Sequence, residues 1–425
     1  MFRRSEEIRI DIAPGAKKVL DIIKSSGYEA FLVGGCVRDS VMGKKPNDWD
    51  IATSARPDDI IRIFGKTIPT GIQHGTVTVL IDGESFEVTT YRLDGQYLDM
   101  RRPASVSYSS NLEDDLSRRD FTINAMAYNE DFGIVDRFNG LEDISNKLIR
   151  CVGDPDKRFE EDALRILRAI RFAAKLSFKI ETDTLESIFR NSINIKKVSA
   201  ERINAEFEGI IRSNVNKLNI INMLEVRRYI FDDFVFDKKN LYRAAILEDI
   251  FFSPENIQAA KRATIYKDYK GDLKKLLKKF RYPNRDIEKT CFIWEVLRED
   301  KYEDLLNENI SLEELRITIK YILRDSRDNL LAKYAIYAKI IEKYANISLI
   351  FNLFNDIIET GECFSLSHLQ ISGRDIIENG LASGKSVGIL LDDLLCKVIS
   401  QPQLNEKKRL LDLARKIQKQ KHLEV

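Results

Sequence analysis

The chain is poor in the residues that build disulfide, zinc and histidine-based sites. Its 425 residues include five cysteines, scattered along the chain and without a Cys-x-x-Cys pair, and three histidines. The odd cysteine count and the wide spacing argue against a disulfide framework and against a zinc site. The histidines, His74, His368 and His422, lie beside no candidate nucleophile, so a histidine general base is not expected. We expect His74 to be a turn residue.

The chain also lacks long apolar runs and a large net charge. No stretch approaches the ~20 apolar residues that a membrane helix needs, and the N-terminus leads into no apolar signal segment. Lys and Arg number 68 against 67 Asp and Glu, which gives a net charge of +1. Any nucleic-acid binding must therefore come from local basic clusters. We expect a cytoplasmic protein with no membrane partner, and we infer no obligate protein partner.

The pattern of secondary structure changes near residue 150. Before it, β-branched runs such as residues 76–81 and 86–91 alternate with short helical patterns. After it, amphipathic helices follow one another to about residue 423, separated by breakers such as Ser253-Pro254 and Ser372-Gly373. The predicted fold class is α+β, with a mixed sheet and helices first and an elongated all-helical region after it.

Two aspartates one residue apart, Asp48 and Asp50, are the first candidate functional residues. If residues 48–52 are extended, side chains alternate with period two, so both carboxylates lie on one face and can share divalent cations. Mg²⁺ prefers a few hard oxygen ligands completed by substrate phosphates. The alternative is a solvated acidic turn, the common fate of a lone Asp-x-Asp.

A strand, a glycine turn and a helix are predicted just upstream, from residues 30–33 through Gly34-Gly35 to residues 37–42. Glycine lets the backbone approach a ligand, and the first turn of a helix offers free N–H groups to phosphate. Arg38 lies in that turn and can add a bidentate contact to a triphosphate. With the aspartate pair about a dozen residues later, the pattern resembles the signature of the DNA polymerase beta superfamily of nucleotidyltransferases.

A third carboxylate is predicted from the strand at residues 86–91. Phe86 and Val88 share one face of this strand and Glu87 faces the other way. A hairpin at Asp82-Gly83-Glu84 is expected to lie beside the aspartate strand, which makes Glu87 a candidate catalytic residue. The alternative is an ordinary solvent-facing glutamate. Two metal ions held there would clamp the attacking 3′-oxygen and the α-phosphate without a histidine base.

Further motifs extend the resemblance over nearly the whole chain. They are Arg118-Arg119-Asp120-Phe121-Thr122-Ile123-Asn124-Ala125, Asp136-Arg137-Phe138-Asn139-Gly140, Glu160-Glu161-Asp162-Ala163-Leu164-Arg165, Ser199-Ala200-Glu201-Arg202-Ile203 and the stretch 380–405. Together they resemble the class II tRNA nucleotidyltransferases, the CCA-adding enzymes and their bacterial poly(A) polymerase relatives. The resemblance implies template-independent, Mg²⁺-dependent repair of the 3′ CCA end of tRNA from CTP and ATP.

The resemblance also implies roles for individual residues. Asp48, Asp50 and Glu87 are expected to be catalytic, the first two as metal ligands. The expected nucleotide-binding residues are Gly35, Arg38, Arg119, Asp120, Asn124, Asp162, Arg165, Arg168 and Arg171. Arg119 is expected to contact the nucleotide, and Asp120 with Asn124 to sense the ribose. Without the resemblance, Arg118 and Arg119 could be a plain basic pair before a buried strand.

Base selection can be argued from Asp162 and Arg165 directly. A carboxylate only accepts hydrogen bonds and a guanidinium only donates them. Cytosine and adenine both present an amino donor beside a ring-nitrogen acceptor, whereas uracil and guanine present the opposite order. The two side chains, three apart on a predicted helix, would accept CTP and ATP and reject UTP and GTP. The alternative is a helix-surface salt bridge between them, worth about 0.2–0.5 kcal/mol.

Addition of the complete CCA, addition of adenosine alone and polyadenylation all stay open at this point. In the family, enzymes that add only the two cytidines lack a flexible loop in the region of residues 93–117; the full length here argues against that activity but not against addition of adenosine alone. The poly(A) polymerases usually carry an arginine-rich segment where residues 63–70 stand, so polyadenylation ranks lower. The rival from another class is a non-catalytic RNA-binding scaffold.

The predicted domains are a catalytic head (1–150), a helical neck with the nucleotide-selecting motif (151–215), a body (216–340) and a tail (341–425). Residues 261–285 carry ten Lys or Arg against two acids, and residues 405–421 carry seven against two. By resemblance, body and tail hold the acceptor stem and elbow of tRNA through contacts that depend on shape and salt. The alternative for each cluster is a solvated helix face.

Overall fold

The computed structural model describes residues 8–95, 106–224, 226–231, 233–307, 309–341 and 347–423. The chain divides into two compact units, Met1–Val235 and Phe236–Val425. The finer division at residues 150, 215 and 340 stays a prediction.

The first unit is built on a mixed sheet. The strands are β1 Ala30–Val33, β2 Ile51–Thr53, β3 Thr67–Gly71, β4 Thr76–Ile81, β5 Glu84–Thr90, β6 Arg92–Asp94, β7 Val106–Tyr108, β8 Met126–Asn129, β9 Gly133–Asp136, β10 Leu148–Ile149 and β11 Lys179–Ile180. Seven of them form one sheet in the order β3-β4-β5-β2-β1-β8-β9, in which only β2 and β5 pair in parallel. β6 pairs with β7, and β10 with β11.

Helices cover this sheet and continue beyond it. They are α1 Pro14–Ser25, α2 Gly35–Val41, α3 Pro57–Ile63, α4 Leu112–Ser117, α5 Gly140–Asn146, α6 Pro155–Glu161, α7 Leu164–Leu176, α8 Thr182–Asn191, α9 Ala200–Asn214, α10 Leu218–Met223 and α11 Arg227–Ile230. α1 begins with a proline and buries Ala16, Val19, Leu20 and Ile23, the spacing of one helix face. These residues pack against the core strands β1, β2, β4 and β5.

The predicted hairpin at residues 82–84 is confirmed. β4 and β5 pair antiparallel with Ile81 opposite Glu84, and the two residues between them, Asp82 and Gly83, both have positive φ. Such a turn matches the twist of the flanking strands. β5 lies in register beside β2, with Ile51 opposite Val88. The strand after the aspartates is shorter than predicted, because regular pairing begins at Ile51 and residues 48–50 lead into it.

Regular elements occur in the described residues of the segment 93–117. β7 and α4 lie in it and β6 ends in it, and Asn111 caps α4 through its side chain. The polar composition does not predict these elements, because they are short and pack only one face. Residues 97–103, the part of the predicted loop named for its composition, lie outside the described residues.

The second unit is helical in its described residues. Its helices are α12 Lys238–Ile246, α13 Pro254–Ile265, α14 Leu273–Lys279, α15 Asn284–Arg298, α16 Leu312–Ser326, α17 Asn329–Ile340, α18 Ile347–Glu359, α19 Gly373–Glu378, α20 Lys385–Ser400 and α21 Lys407–Leu423. The breakers predicted from sequence stand where α13 and α19 begin. None of the helices in the described part of the chain has the length and apolar content that a membrane crossing requires. The α+β class with a helical C-terminal region is confirmed.

Candidate active site

A cavity of about 660 Å³ in the first unit collects nearly all the predicted site residues. Its lining is Gly34, Gly35, Arg38, Asp48, Asp50, Arg118, Arg119, Asp120, Asn124, Asp162, Leu164, Arg165, Arg168, Arg171, Phe172 and Arg202. Glu87 is the one predicted residue outside this lining. The remaining predicted residues meet at one place although they come from four separate segments of the chain.

The glycine turn lies directly against the other predicted groups. Gly34 has φ +75°, and a Cβ built on it would lie 3.0 Å from Arg119 Nη1 and 3.8 Å from Asp50 Oδ2. The backbone conformation therefore favours glycine, and a side chain at this position would press on the end of the Arg119 side chain. The N–H of Val33 donates to the carbonyl of Asp50 at 3.0 Å, so the end of β1 is paired with the residue that carries the carboxylate.

The aspartate pair lies at the mouth of the cavity, with Asp48 exposed and Asp50 partly buried. Burial raises the pKa of Asp50, the charges of Glu87 and Asp48 raise it further, and Arg119 opposes them. Carboxylates crowded in this way suit a divalent cation, because its charge offsets their mutual repulsion. Glu87 is exposed beside Asp50 in the register of β5 and β2.

A preformed metal cage is missing from the described residues, since no group of three or more His, Cys, Asp or Glu side chains there is arranged to hold an ion. The donor set at Asp48 and Asp50 fits Mg²⁺, which commonly takes one or two carboxylates and completes its shell with water and substrate phosphates. A resident zinc or calcium site would need more protein ligands than this cavity offers.

A chain of hydrogen bonds runs along one wall of the cavity. Arg38 Nη1 donates to Asn124 Oδ1 at 2.6 Å, and Asn124 Nδ2 donates to Asp120 Oδ1 at 3.2 Å. Arg168 Nε donates to the other carboxylate oxygen of Asp120 at 2.8 Å. Burial alone would raise the pKa of Asp120, but Arg168 and the hydrogen bond from Asn124 outweigh it and lower the pKa. Asp120 therefore stays charged and holds both neighbours in place.

Three guanidinium groups surround the ring of Phe172. The Cζ atoms of Arg38, Arg168 and Arg171 lie 5.3, 5.4 and 4.5 Å from its centroid. Each is within the range of a cation–π attraction, which partly offsets the repulsion between like charges. Arg171 also pairs with Glu206 of α9. The cavity thus holds a concentrated positive charge suited to a triphosphate.

The base-selecting motif has a different local structure from the one predicted. α6 ends at Glu161, Asp162 is extended with φ −145° and ψ 101°, and α7 begins at Leu164. Asp162 and Arg165 therefore belong to a junction between two helices, and the prediction of one continuous helix is wrong. Asp162 accepts from the N–H of Leu164 at 3.1 Å, which gives a partner to the first N–H group of α7.

The alternative of a salt bridge between Asp162 and Arg165 is also wrong. Asp162 pairs with Arg202, with N–O distances of 2.7 and 3.2 Å. Arg165 donates to Glu161 at 2.7 Å and to the carbonyl oxygens of Arg118 and Arg158 at 2.9 and 3.2 Å. A guanidinium has five N–H donors, so Arg165 keeps donors for a base edge.

Sequence reasoning missed four side chains of the lining, those of Arg118, Leu164, Phe172 and Arg202. Arg202 stands in a motif that was recognised, but its partner Asp162 is distant in sequence. Arg118 was noted only as half of a basic pair. Phe172 carried no signal, because an aromatic residue on the apolar face of a helix normally predicts core packing.

Two known protein families match stretches of the first unit. Residues 30–150 match the family described as the poly A polymerase head domain, and residues 177–227 match the probable RNA and SrmB-binding site of polymerase A. Fold and cavity thus define a nucleotidyltransferase head joined to helices. The CCA-adding enzyme of Pediococcus pentosaceus is 37% identical over 418 residues, which cover 95% of this chain and 98% of that protein. This chain belongs to the family of CCA-adding enzymes.

Solved structures agree with this assignment. The CCA-adding enzyme of Bacillus stearothermophilus in complex with CTP covers 97% of this chain and 100% of its own, with a TM-score of 0.76 and 28% identity. The CCA-adding enzyme of Thermotoga maritima complexed with tRNA_CCA has the same fold at 20% identity, with a TM-score of 0.64 over 95% of this chain and 94% of its own. The resemblance inferred from the motifs is confirmed, while the roles of individual residues stay predictions.

Proposed function

We propose that this chain adds the 3′-terminal CCA to tRNA without a nucleic-acid template, with CTP and ATP as donors and Mg²⁺ as cofactor. The observation that carries the proposal is the cavity whose lining brings together an aspartate pair, a glycine turn, an arginine cluster and the Asp162 and Arg165 side chains. The relatives named above add cytidine and adenosine, which fits both nucleotide donors.

Asp48 and Asp50 are the residues we assign to the cation. Mg²⁺, when bound, would neutralise charge on the α-phosphate and on the attacking 3′-oxygen. Asp50 and Arg119 both lie close to Gly34, so the cation and an arginine would approach the phosphates from the same glycine turn. Glu87 adds a third negative charge beside Asp50 and remains our candidate for an outer catalytic carboxylate.

The triphosphate is assigned to the arginine cluster. Arg38 is held by Asn124, and Arg168 is held by Asp120, so these guanidinium groups are fixed before a nucleotide arrives. Fixed donors lower the ordering cost of binding and strengthen their interaction with developing charge. Gly35 begins α2 beside them and keeps the backbone open to the phosphates.

The base edge is assigned to Asp162 and Arg165. Hydrogen bonds to charged groups contribute roughly 1.5–3 kcal/mol each, and a wrong base would leave the charged partners unpaired. Asp120 and Asn124, which connect Arg38 to Arg168 through hydrogen bonds, are assigned to the ribose. The pocket can therefore select CTP and ATP without a paired strand.

The second unit is assigned to tRNA. In the cluster at residues 261–285, Lys270, Lys274, Lys275 and Lys278 are exposed. The aromatic residues of the same stretch that are buried are Tyr266, Phe280 and Tyr282. Such a surface suits phosphate contacts rather than base stacking. We also propose a cytoplasmic location, which the free cysteines of the chain support.

An extension assay tests the proposal. tRNAs ending before CCA, after C and after CC are incubated with Mg²⁺ and each nucleotide alone or together, and the products are sequenced. We expect CCA completion on every substrate. Extension of the CC-ended tRNA alone would make the enzyme A-adding, and long adenosine tails would make it a poly(A) polymerase.

A matched pair of variants separates the enzyme from an RNA-binding scaffold. Asp50→Asn removes the partly buried carboxylate and should abolish incorporation while tRNA binding is kept. Asp131→Asn neutralises an exposed aspartate of the same unit, outside the cavity, and should leave both unchanged. Full incorporation by Asp50→Asn would refute the assignment of the cation site.

A further inference from the structure

A buried carboxylate outside the assigned site holds two arginines of its lining. Asp115, in α4, has a relative exposure of 0%. Its Oδ1 accepts from Arg118 Nε at 3.0 Å and from Arg118 Nη2 at 2.5 Å. Its Oδ2 accepts from Arg119 Nη2 at 3.0 Å. One carboxylate therefore fixes two consecutive guanidinium groups, one through each oxygen.

The arrangement depends on charge. Burial alone would raise the pKa of Asp115, but Arg119 and Arg118 outweigh it and lower the pKa below its ordinary value. A buried carboxylate is stable only when cations and hydrogen bonds compensate its lost hydration. Arg119 is less completely paired than Asp115, because its Nε is buried and has no hydrogen-bond partner. Its orientation in the cavity therefore rests on few contacts, of which Asp115 supplies one.

The two arginines connect Asp115 to two other predicted groups of the cavity. Arg119 Nη1 reaches the glycine turn, since a Cβ on Gly34 would lie 3.0 Å from it. The main-chain carbonyl of Arg118 accepts from Arg165 Nη2 at 2.9 Å. A shift of Asp115 would thus be felt both where the phosphates are assigned and where the base is assigned.

We propose that Asp115 is a positioning residue for nucleotide transfer, which fixes Arg119 at the phosphate end and the main chain beneath Arg165 at the base end. This inference rests on the proposed function. Asp115 touches no substrate and acts through its neighbours. The competing role, in which it only stabilises α4 and the fold, makes different predictions for selection and for catalysis.

Asp115→Asn tests the proposal with an almost identical shape. The amide keeps one acceptor but turns an N–H₂ group towards one of the arginines, so one guanidinium loses its anchor. The variant also removes a negative charge beside Arg119, so the attraction for a triphosphate does not fall. We expect kcat for cytidine addition to fall at least tenfold, while KM for CTP changes less than threefold.

Selection gives a readout that a loss of folded enzyme does not move. The ratio of kcat/KM for CTP to that for UTP is independent of the active fraction, because the enzyme concentration cancels. We expect Asp115→Asn to lower this ratio at least tenfold, since Arg165 loses a fixed support. An unchanged ratio, or a kcat reduced only in proportion to the folded fraction, would overturn the proposal.

Two further variants complete the test. Glu113→Gln neutralises an exposed acid in the same helix, 3.8 Å from Arg137, and should match the wild type. If Asp115→Asn fails to fold, Arg118→Lys keeps a cation beside Asp115 without the two-point contact, and should lower the selection ratio at least threefold. An unchanged ratio in Arg118→Lys would then overturn the proposal. A wild-type chain that incorporates no CTP would instead refute the proposed function.

Discussion

Arg202 and Asp162 form a two-point ion pair, in which Nη1 donates to Oδ1 and Nη2 donates to Oδ2. The pair joins α9 to the junction between α6 and α7 and leaves Asp162 in one orientation. Bidentate pairs of this kind fix geometry as well as contribute energy. We therefore group Arg202 with Asp162 and Arg165, the residues to which we assign base selection.

Removing Arg202 should weaken base selection. Arg202→Ala removes the two-point partner of Asp162 and leaves only the hydrogen bond from the N–H of Leu164 to hold it. We therefore expect the preference for CTP over UTP to fall about tenfold, equivalent to about 1.4 kcal/mol. The measurement is single-nucleotide incorporation on a tRNA that lacks CCA. Arg212→Ala, an exposed arginine of α9 that lies 4.0 Å from Glu208, is the control and should keep full preference. Equal preference in both variants would contradict the role of Arg202.

The role of Gly34 can be tested by separating the strain that an added Cβ causes in the backbone from its contact with Arg119. Gly34 and Gly43 have φ of +75° and +71°, but only a Cβ on Gly34 meets other residues. Gly34→Ala and Gly43→Ala should both lose about 1–3 kcal/mol of stability to strain. Only Gly34→Ala should lose activity, by a hundredfold or more, because it displaces Arg119. Thermal melts and incorporation rates together decide this, and equal activity loss in the two variants would argue against it.

Asp50 should make the fold less stable at neutral pH than at mildly acidic pH. Burial raises its pKa, so the folded state holds this proton more tightly than the unfolded state does. The ionised carboxylate therefore costs stability above its folded pKa, and this cost disappears as pH falls through it. Asp50→Asn should melt higher than wild type at pH 7, with the difference shrinking towards pH 4.

The same pair of proteins reports on the cation. Added Mg²⁺ should raise the melting temperature of the wild type, because a ligand that binds only the folded state stabilises it. It should do so much less in Asp50→Asn. Melting curves recorded at several Mg²⁺ concentrations provide the measurement, and an equal shift in both proteins would place the cation elsewhere.

Phe172 should matter for nucleotide affinity rather than for folding alone. Phe172→Leu keeps an apolar residue in α7 but removes the ring between Arg38, Arg168 and Arg171. We expect KM for CTP to rise about threefold to tenfold, given cation–π contributions of about 0.5–1 kcal/mol or more. Phe189→Leu, an exposed phenylalanine in α8, is the control and should leave KM unchanged. Steady-state kinetics with CTP distinguish the two outcomes.

The sequence predicted most of the fold where local signals are strong. Alternating β-branched residues located β4 and β5, and the glycine turn with its aspartates located the cavity. It failed at Asp162, because no proline or glycine marks the helix break there and the pairing with Arg202 is tertiary. Asp115 escaped notice for a similar reason, since an acid in a polar segment normally predicts exposure. Burial and long-range partners become visible only when the chain is folded.

The hydrogen bond from Val33 to Asp50 separates two properties of this protein. It fixes the main chain of Asp50 against the residue before the glycine turn, independently of the side chains that line the rest of the cavity. On the proposed assignments, substitutions at Arg165 of α7 and Arg202 of α9 alter which nucleotide enters, while this main-chain contact persists. A variant library for modified nucleotides should therefore vary these two positions and keep the ends of β1 and β2 unchanged.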